Sequence, residues 1–274
     1  MRIAFFGTPA FTTAFLDVLD SRGYRPSLIV TNPDRPAGRG MTMTSPEPKI
    51  WAQSHDVHVL QPEKLDDAFF AELSQTPWDL FVVIAYGKII PEQIINLPTH
   101  GTINVHYSLL PQYRGATPVE SAILNGDTTT GVSIQHMRYK LDSGPILAQQ
   151  ELNIEDGDTT PVLRDKLNAI AYTLLVEVIQ NLTKGTHKAI EQQHSAATFC
   201  HKITKEDGLV SLSDDPIVLY RKYRAYTPWP GLYFFGERNG KPVRVKITKA
   251  HWDGTFVIDE VIPEGKNTIP YSLF

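Results

Sequence analysis

The chain is predicted to be α/β, with a Rossmann-like, mostly parallel sheet domain followed by a small OB-like β-barrel domain. Three observations carry this expectation. Short continuous apolar runs alternate with helix-like segments as far as Ile154, the pattern left by βαβ units whose strands are covered on both faces. One long amphipathic segment then follows, with Val162, Leu163, Leu167, Ile170, Leu174, Leu175 and Ile179 at helical spacing. Beyond a polar stretch, β-like runs are separated by glycine turn signals, including Asn239-Gly240 in hairpin position.

In chain order, residues 2–6 read as a buried strand and 12–20 as a helix. Strands are expected at 27–31, 57–60, 80–84, 101–105, 131–137 and 146–154. The long helix should run over 161–182, with Thr160 as N-cap, Pro161 at the first helical position and Asp158 favouring the positive end of its dipole. Strands in the tail are expected at 232–235, 242–248 and 255–261. The resulting division is 1–184 for the first domain, 185–199 for a linker and 200–274 for the β domain.

Composition narrows the function classes. Of 274 residues, 42% are hydrophobic and 20% charged, which suits an ordinary globular chain. The single cysteine, Cys200, excludes an intramolecular disulfide and a cysteine-rich metal site. No apolar run has membrane-spanning length and the N-terminus enters directly into a strand pattern, so a cytoplasmic protein without membrane contact is expected. The net charge of −4 is uneven. Residues 1–199 hold 15 Lys and Arg against 21 Asp and Glu, whereas residues 200–274 hold 11 against 9. A basic tail could meet a polyanion or simply be a solvated surface.

Several chemistries lack their signatures. Gly7-Thr8-Pro9 closes the first strand without the Gly-x-Gly-x-x-Gly fingerprint of dinucleotide binding. Ser108 has no nucleophile elbow around it, and no histidine pair has metal-ligand spacing. What stands out is Gly101 to Pro118. Asn104 and His106, two apart on a strand, should share one face, and the strand runs into a Ser108-Leu109-Leu110-Pro111 turn. Asp142, in Lys140-Leu141-Asp142-Ser143-Gly144, could begin a turn or face that pair. An amide, an imidazole and a carboxylate suit a reaction that builds and collapses a tetrahedral oxyanion.

Together, Asn104-Val-His106, Ser108-Leu-Leu-Pro111, Arg114-Gly115 and Leu141-Asp142-Ser143-Gly144 resemble the formyltransferase family that uses 10-formyltetrahydrofolate. Phe6-Gly7-Thr8-Pro9, residues 32–40 (Asn-Pro-Asp-Arg-Pro-Ala-Gly-Arg-Gly), residues 85–91 (Ala-Tyr-Gly-Lys-Ile-Ile-Pro) and Pro228-Trp229-Pro230 extend the similarity over nearly the whole chain. The resemblance implies catalytic roles for Asn104, His106 and Asp142. It implies a folate site bordered by Ser108, Leu109, Leu110 and Pro111 and walled by Ala85, Tyr86, Gly87 and Ile89. The co-substrate would be 10-formyltetrahydrofolate with no metal, and the acceptor methionyl initiator tRNA, bound by a monomer. An amino-sugar nucleotide is the alternative acceptor, and a non-catalytic RNA- or folate-binding relative the alternative class.

For the tRNA, Arg35 and Arg39 sit in the 34–44 loop, able to reach phosphate. Arg244 and Lys246 alternate along a strand, as either an RNA-binding face or an ordinary exposed one. Tyr107 stands where the family usually carries a small residue or proline, and Met41-Thr42-Met43-Thr44 replaces frequent lysines.

Overall fold

A computed structural model describes every residue of the chain except Arg39 and Asn239. Its elements in order are β1 (Ile3–Gly7), α1 (Thr13–Ser21), β2 (Leu28–Val30), β3 (Arg35–Ala37), β4 (Thr42–Thr44), α2 (Glu47–Ser54), β5 (His58–Leu60), α3 (Asp67–Ser74) and β6 (Leu80–Ile84). Next come α4 (Glu92–Ile95), β7 (Thr102–His106), β8 (Arg114–Gly115), α5 (Pro118–Asn125), β9 (Thr129–His136), β10 (Ile146–Asn153) and α6 (Thr160–Lys184). The last stretch holds β11 (Phe199–Cys200), α7 (Pro216–Tyr226), β12 (Tyr233–Arg238), β13 (Lys241–Trp252), β14 (Phe256–Pro263) and β15 (Ile269–Pro270). Contacts gather into two compact units that interleave along the chain: 1–111, 132–150 and 169–197 form one, and 112–131, 151–168 and 198–274 the other.

The first unit is built on a seven-stranded sheet in the order β10-β9-β7-β6-β1-β2-β5. Pairs β1–β2, β1–β6, β2–β5 and β6–β7 are parallel, and β9 runs antiparallel to β7. Every residue of β1 and of β6 is buried, as expected of strands covered on both faces. On one face Ala4, Phe6, Val30, Phe81 and Val83 pack with Phe69, Leu73 and Trp78 around α3. Helix α3 starts on Asp66, whose carboxylate accepts the Phe69 amide at 3.2 Å. Phe15 of α1 meets Tyr172 of α6 edge-on, with ring centroids 4.6 Å apart.

In the second unit, β12, β13, β14 and β15 form a four-stranded antiparallel sheet in sequence order. Arg238 of β12 lies opposite Lys241 of β13, where a hairpin is expected. The Asn239 half of that turn signal lies outside the described residues. Helix α7 also belongs to this unit, capped by Asp215, whose carboxylate accepts the Ile217 amide at 2.9 Å, with Pro216 in its first turn. It packs on α5, whose left-handed C-cap Gly126 lies under the Arg221 guanidinium.

Three local expectations need correction. The all-β reading of the tail omits α7, whose arginines, lysine and tyrosines blur the apolar stripe. The 34–44 segment, read as a loop, contains the β3–β4 hairpin, with Arg35 opposite Thr44. The long helix starts at Thr160 itself, and the Thr160 hydroxyl donates to the Ala225 carbonyl at 2.7 Å. Asp158 instead accepts the Glu155 amide and pairs with Lys166 at 2.7 Å.

Gly115 provides a test of this packing. Its φ is +126°, and a Cβ there would lie 2.3 Å from the Cys200 carbonyl oxygen on the neighbouring β11. Gly115→Ala should cost about 2 kcal/mol or more in urea unfolding. Gly157→Ala, with nothing within 4 Å of its Cβ position, should stay within about 0.5 kcal/mol of wild type.

Candidate active site

The site grows from two neighbouring strands of the first unit. Register places Asn104 of β7 opposite Gln135 of β9, and His106 opposite Ser133. Residues opposed in an antiparallel pair share a face, so these four side chains converge. The Asn104 amide nitrogen donates to the Val83 carbonyl on β6 at 3.0 Å, which fixes the rotation of the amide. His106 is 5% exposed.

The turn that follows is held by side chains from β9 and β10. Ser133 Oγ donates to the Ser108 carbonyl at 2.6 Å and accepts the Leu110 amide at 3.0 Å. Gln149 Nε2 reaches the Leu110 carbonyl at 3.1 Å and Ser133 Oγ at 2.7 Å. Ser108 and Leu110 are buried, while Leu109 and Pro111 are half-buried. Tyr107 follows directly on the end of β7 and is buried. Its ring packs edge-on against Phe11 at 6.1 Å.

Asp142 comes from the connection between β9 and β10. Its Oδ2 lies 3.7 Å from His106 Nδ1, an ion-pair distance when the ring is protonated and too long for a hydrogen bond. Its Oδ1 accepts Gln135 Nε2 at 2.9 Å. The backbone of Asp142 is left-handed, with φ of +43°. Ser143 Oγ donates to the Lys140 carbonyl at 2.8 Å, and Gln192 Nε2 donates to the carbonyls of Asp142 and Gly144 at 3.0 and 2.7 Å. Gly144 is obligatory for a different reason: a Cβ there would lie 1.7 Å from the His136 carbonyl oxygen.

The expected folate wall follows β6 directly. Ala85 and Gly87 have φ of +48° and +81° and expose their backbone, and Ile89 is 81% exposed. Tyr86 is different. Its ring lies in the core, edge-on to Phe6 at 5.5 Å, and burial pushes its phenol above the ordinary tyrosine range. Its carbonyl accepts from Thr8 Oγ1 and Asn32 Nδ2, each at 3.4 Å, so Tyr86 offers backbone rather than side chain to any slot. Gly87 and Lys88 also line an open cleft of about 490 Å³ with Thr8, Asn32, Pro33 and Arg35. The cleft lies beyond the carboxyl ends of β1, β2 and β6, where α/β sheets bind ligands.

Among the residues expected to meet RNA, Arg35 pairs with Glu63 at 2.7 Å, both side chains being 65% exposed. Arg39 lies outside the described residues. In the second unit, Arg244 sits opposite Phe235 and places its guanidinium 4.0 Å above the Tyr233 ring, while Lys246 lies opposite Tyr233. Arg244, Lys246 and Phe235 are exposed. The sheet face is therefore basic and aromatic together. Among the described residues, no group of three His, Cys, Asp or Glu could hold a metal ion, and no helix is long and apolar enough to cross a membrane.

Sequence reasoning missed Ser133, Gln135, Gln149 and Gln192. The first two carried a readable signal, since they alternate with the apolar Val132 and Ile134. Gln149 and Gln192 carried none, because their partners are distant in sequence.

Known proteins resemble the chain over most of its length. A family model described as formyl transferase matches residues 1–179, and one for the formyl transferase C-terminal domain matches residues 202–255. A methionyl-tRNA formyltransferase of Chloroflexus aurantiacus is 43% identical over 264 residues, covering 96% of this chain and 84% of the relative. One from Halalkalibacterium halodurans is 40% identical over 246 residues, covering 89% and 77%. An N-formyltransferase of Helicobacter canadensis, solved with folinic acid and dTDP-3-aminofucose, superposes with a TM-score of 0.67 at 15% identity, covering 98% of each chain, which speaks for the fold alone. On the matched domains and on these relatives, the chain belongs to the formyl transferase family.

Proposed function

We propose that the chain transfers the formyl group of 10-formyltetrahydrofolate to the amino group of methionyl initiator tRNA in the cytoplasm. The carrying observation is the convergence of Asn104, His106 and Asp142 in one unit. The curated relatives at 40–43% identity carry the same activity in their names. The folate supplies an already activated formyl group, so the chain has only to hold charge and move protons. The exposed peptide edges at Ala85 and Gly87 suit the hydrogen-bonding rim of a pterin.

An amide has two N–H donors. Asn104 commits one to Val83, and the other is held ready for the formyl oxygen as the acceptor amine adds to the formyl carbon. His106, protonated, adds a second donor to that oxygen, and Asp142 at 3.7 Å stabilises the charged ring. As the bond to the amine forms and the bond to folate nitrogen breaks, one proton leaves the amine and one reaches the departing nitrogen. His106 and Asp142 carry that exchange. All three groups come from one chain, so a monomer suffices.

The RNA reading of the acceptor rests on the second unit. Basic side chains interleaved with the exposed Phe235 and with Tyr233 offer phosphate contacts and stacking surfaces. In the first unit, an ion pair as exposed as Arg35–Glu63 contributes little, so Arg35 can exchange Glu63 for a phosphate. An amino-sugar nucleotide needs no such face.

Purified protein offered methionyl-tRNA and an amino-sugar nucleotide with one formyl donor should formylate the tRNA. Formylation of the sugar alone sinks this reading, and no activity with either acceptor favours the non-catalytic relative. Asn104→Ala, His106→Ala and Asp142→Ala should each lower kcat by about 10²–10³ with circular dichroism unchanged. Replacing Arg244 and Lys246 together by alanine should raise KM for tRNA at constant kcat. It should also flatten the slope of log affinity against log salt by roughly 2. An unchanged slope removes these two residues from the interface.

A further inference from the structure

Gln192 lies in the polar stretch expected to be a linker, yet the residue is only 6% exposed. Its Nε2 faces three acceptors: the Gly144 carbonyl at 2.7 Å, the Asp142 carbonyl at 3.0 Å and Gln135 Oε1 at 3.3 Å. Gln135, 1% exposed, turns its own Nε2 to Asp142 Oδ1 at 2.9 Å. Two carboxamides in series thus hold both the backbone and the carboxylate of Asp142. The order of their ends matters. With Gln135 Oε1 engaged by Gln192, the Gln135 N–H must face the carboxylate, whereas the flipped amide would set oxygen against oxygen.

The segment carrying Gln192 is itself pinned. Ile190 exchanges both backbone hydrogen bonds with Ile146, at 2.8 and 2.9 Å. Arg138 grips Glu191 through two hydrogen bonds, at 3.0 and 2.6 Å. The Asp142 backbone, at φ of +43°, lies in the left-handed region, which Asp tolerates better than most L-residues.

We propose that Gln192 is a positioning residue for formyl transfer, fixing the Asp142 turn and the orientation of Gln135 so that the carboxylate stays beside His106. The proposal rests on the reading of Asp142 and His106 as catalytic. Misplacement of a reacting group by about 1 Å can cost two orders of magnitude in rate.

The test compares steady-state formylation of methionyl-tRNA by wild type, Gln192→Ala and Gln192→Glu between pH 6 and 8.5. Gln192→Ala should lower kcat by about 10–100-fold while KM for tRNA and folate stays within about threefold. In Gln192→Glu the new carboxylate would face two carbonyl oxygens and can donate only when protonated. Burial against oxygens raises its pKa above the usual glutamate range. The ratio of variant to wild-type kcat should therefore rise as pH falls. A kcat for Gln192→Ala within about twofold of wild type overturns the proposal, as does a ratio for Gln192→Glu that is flat with pH. Should Gln192→Ala not fold, the ratio decides. If neither variant folds, Gln192 serves stability and the proposal fails. Wild type inactive on methionyl-tRNA would instead sink the functional reading, whatever the variants do.

Discussion

The antiparallel register of β7 against β9 sets Asn104 opposite Gln135 and His106 opposite Ser133. A slip of one residue would turn every one of these side chains to the other face of the sheet. Because Val132 and Ile134 must stay in the core, the apolar half of β9 locks the polar half in place. Ser133 then fixes the Ser108–Pro111 turn, Gln135 fixes the Asp142 carboxylate, and the strand pair acts as a jig for two loops.

Burying this much polarity is tolerated because it is matched. Each net hydrogen bond contributes only about 0.5–1.5 kcal/mol, but a buried group left without a partner costs about 1–3 kcal/mol. The turn carbonyls of Ser108, Asp142 and Gly144 each accept from a buried side chain, and that of Leu110 accepts from Gln149 on the exposed part of β10. Removing one donor therefore exposes the rest of the network to rearrangement. Rigidity at the site is bought with polar contacts rather than with apolar bulk.

Much of this was legible in the chain. Continuous apolar runs announced β1 and β6, and the helical stripe announced α6, because burial on two faces or on one leaves a period in the residues themselves. Asn104 and His106 were legible as a pair because strand alternation is local. The β3–β4 hairpin was not, since strands of three residues, one of them holding a proline, are too short to show a period. Helix α7 showed its cap in Asp215-Pro216, but Tyr220, Arg221, Lys222 and Arg224 masked its stripe. Gln192 illustrates the deeper limit. In sequence it is one polar residue in a polar stretch, and only the fold reveals that its partners are the carbonyls of a turn fifty residues earlier.

That separation also has a temporal side. A chain emerging from the ribosome presents Asn104, His106 and Asp142 well before Gln192 follows, and at about 5–20 residues per second the interval is a few seconds. During it the three side chains exist without the strap that Ile190 and Gln192 lay along the Asp142 turn. A product released short of that point would keep the residues of the site and lack its support. On the roles proposed for these side chains, competence for chemistry would therefore arrive late in synthesis, well after the last of the three is made.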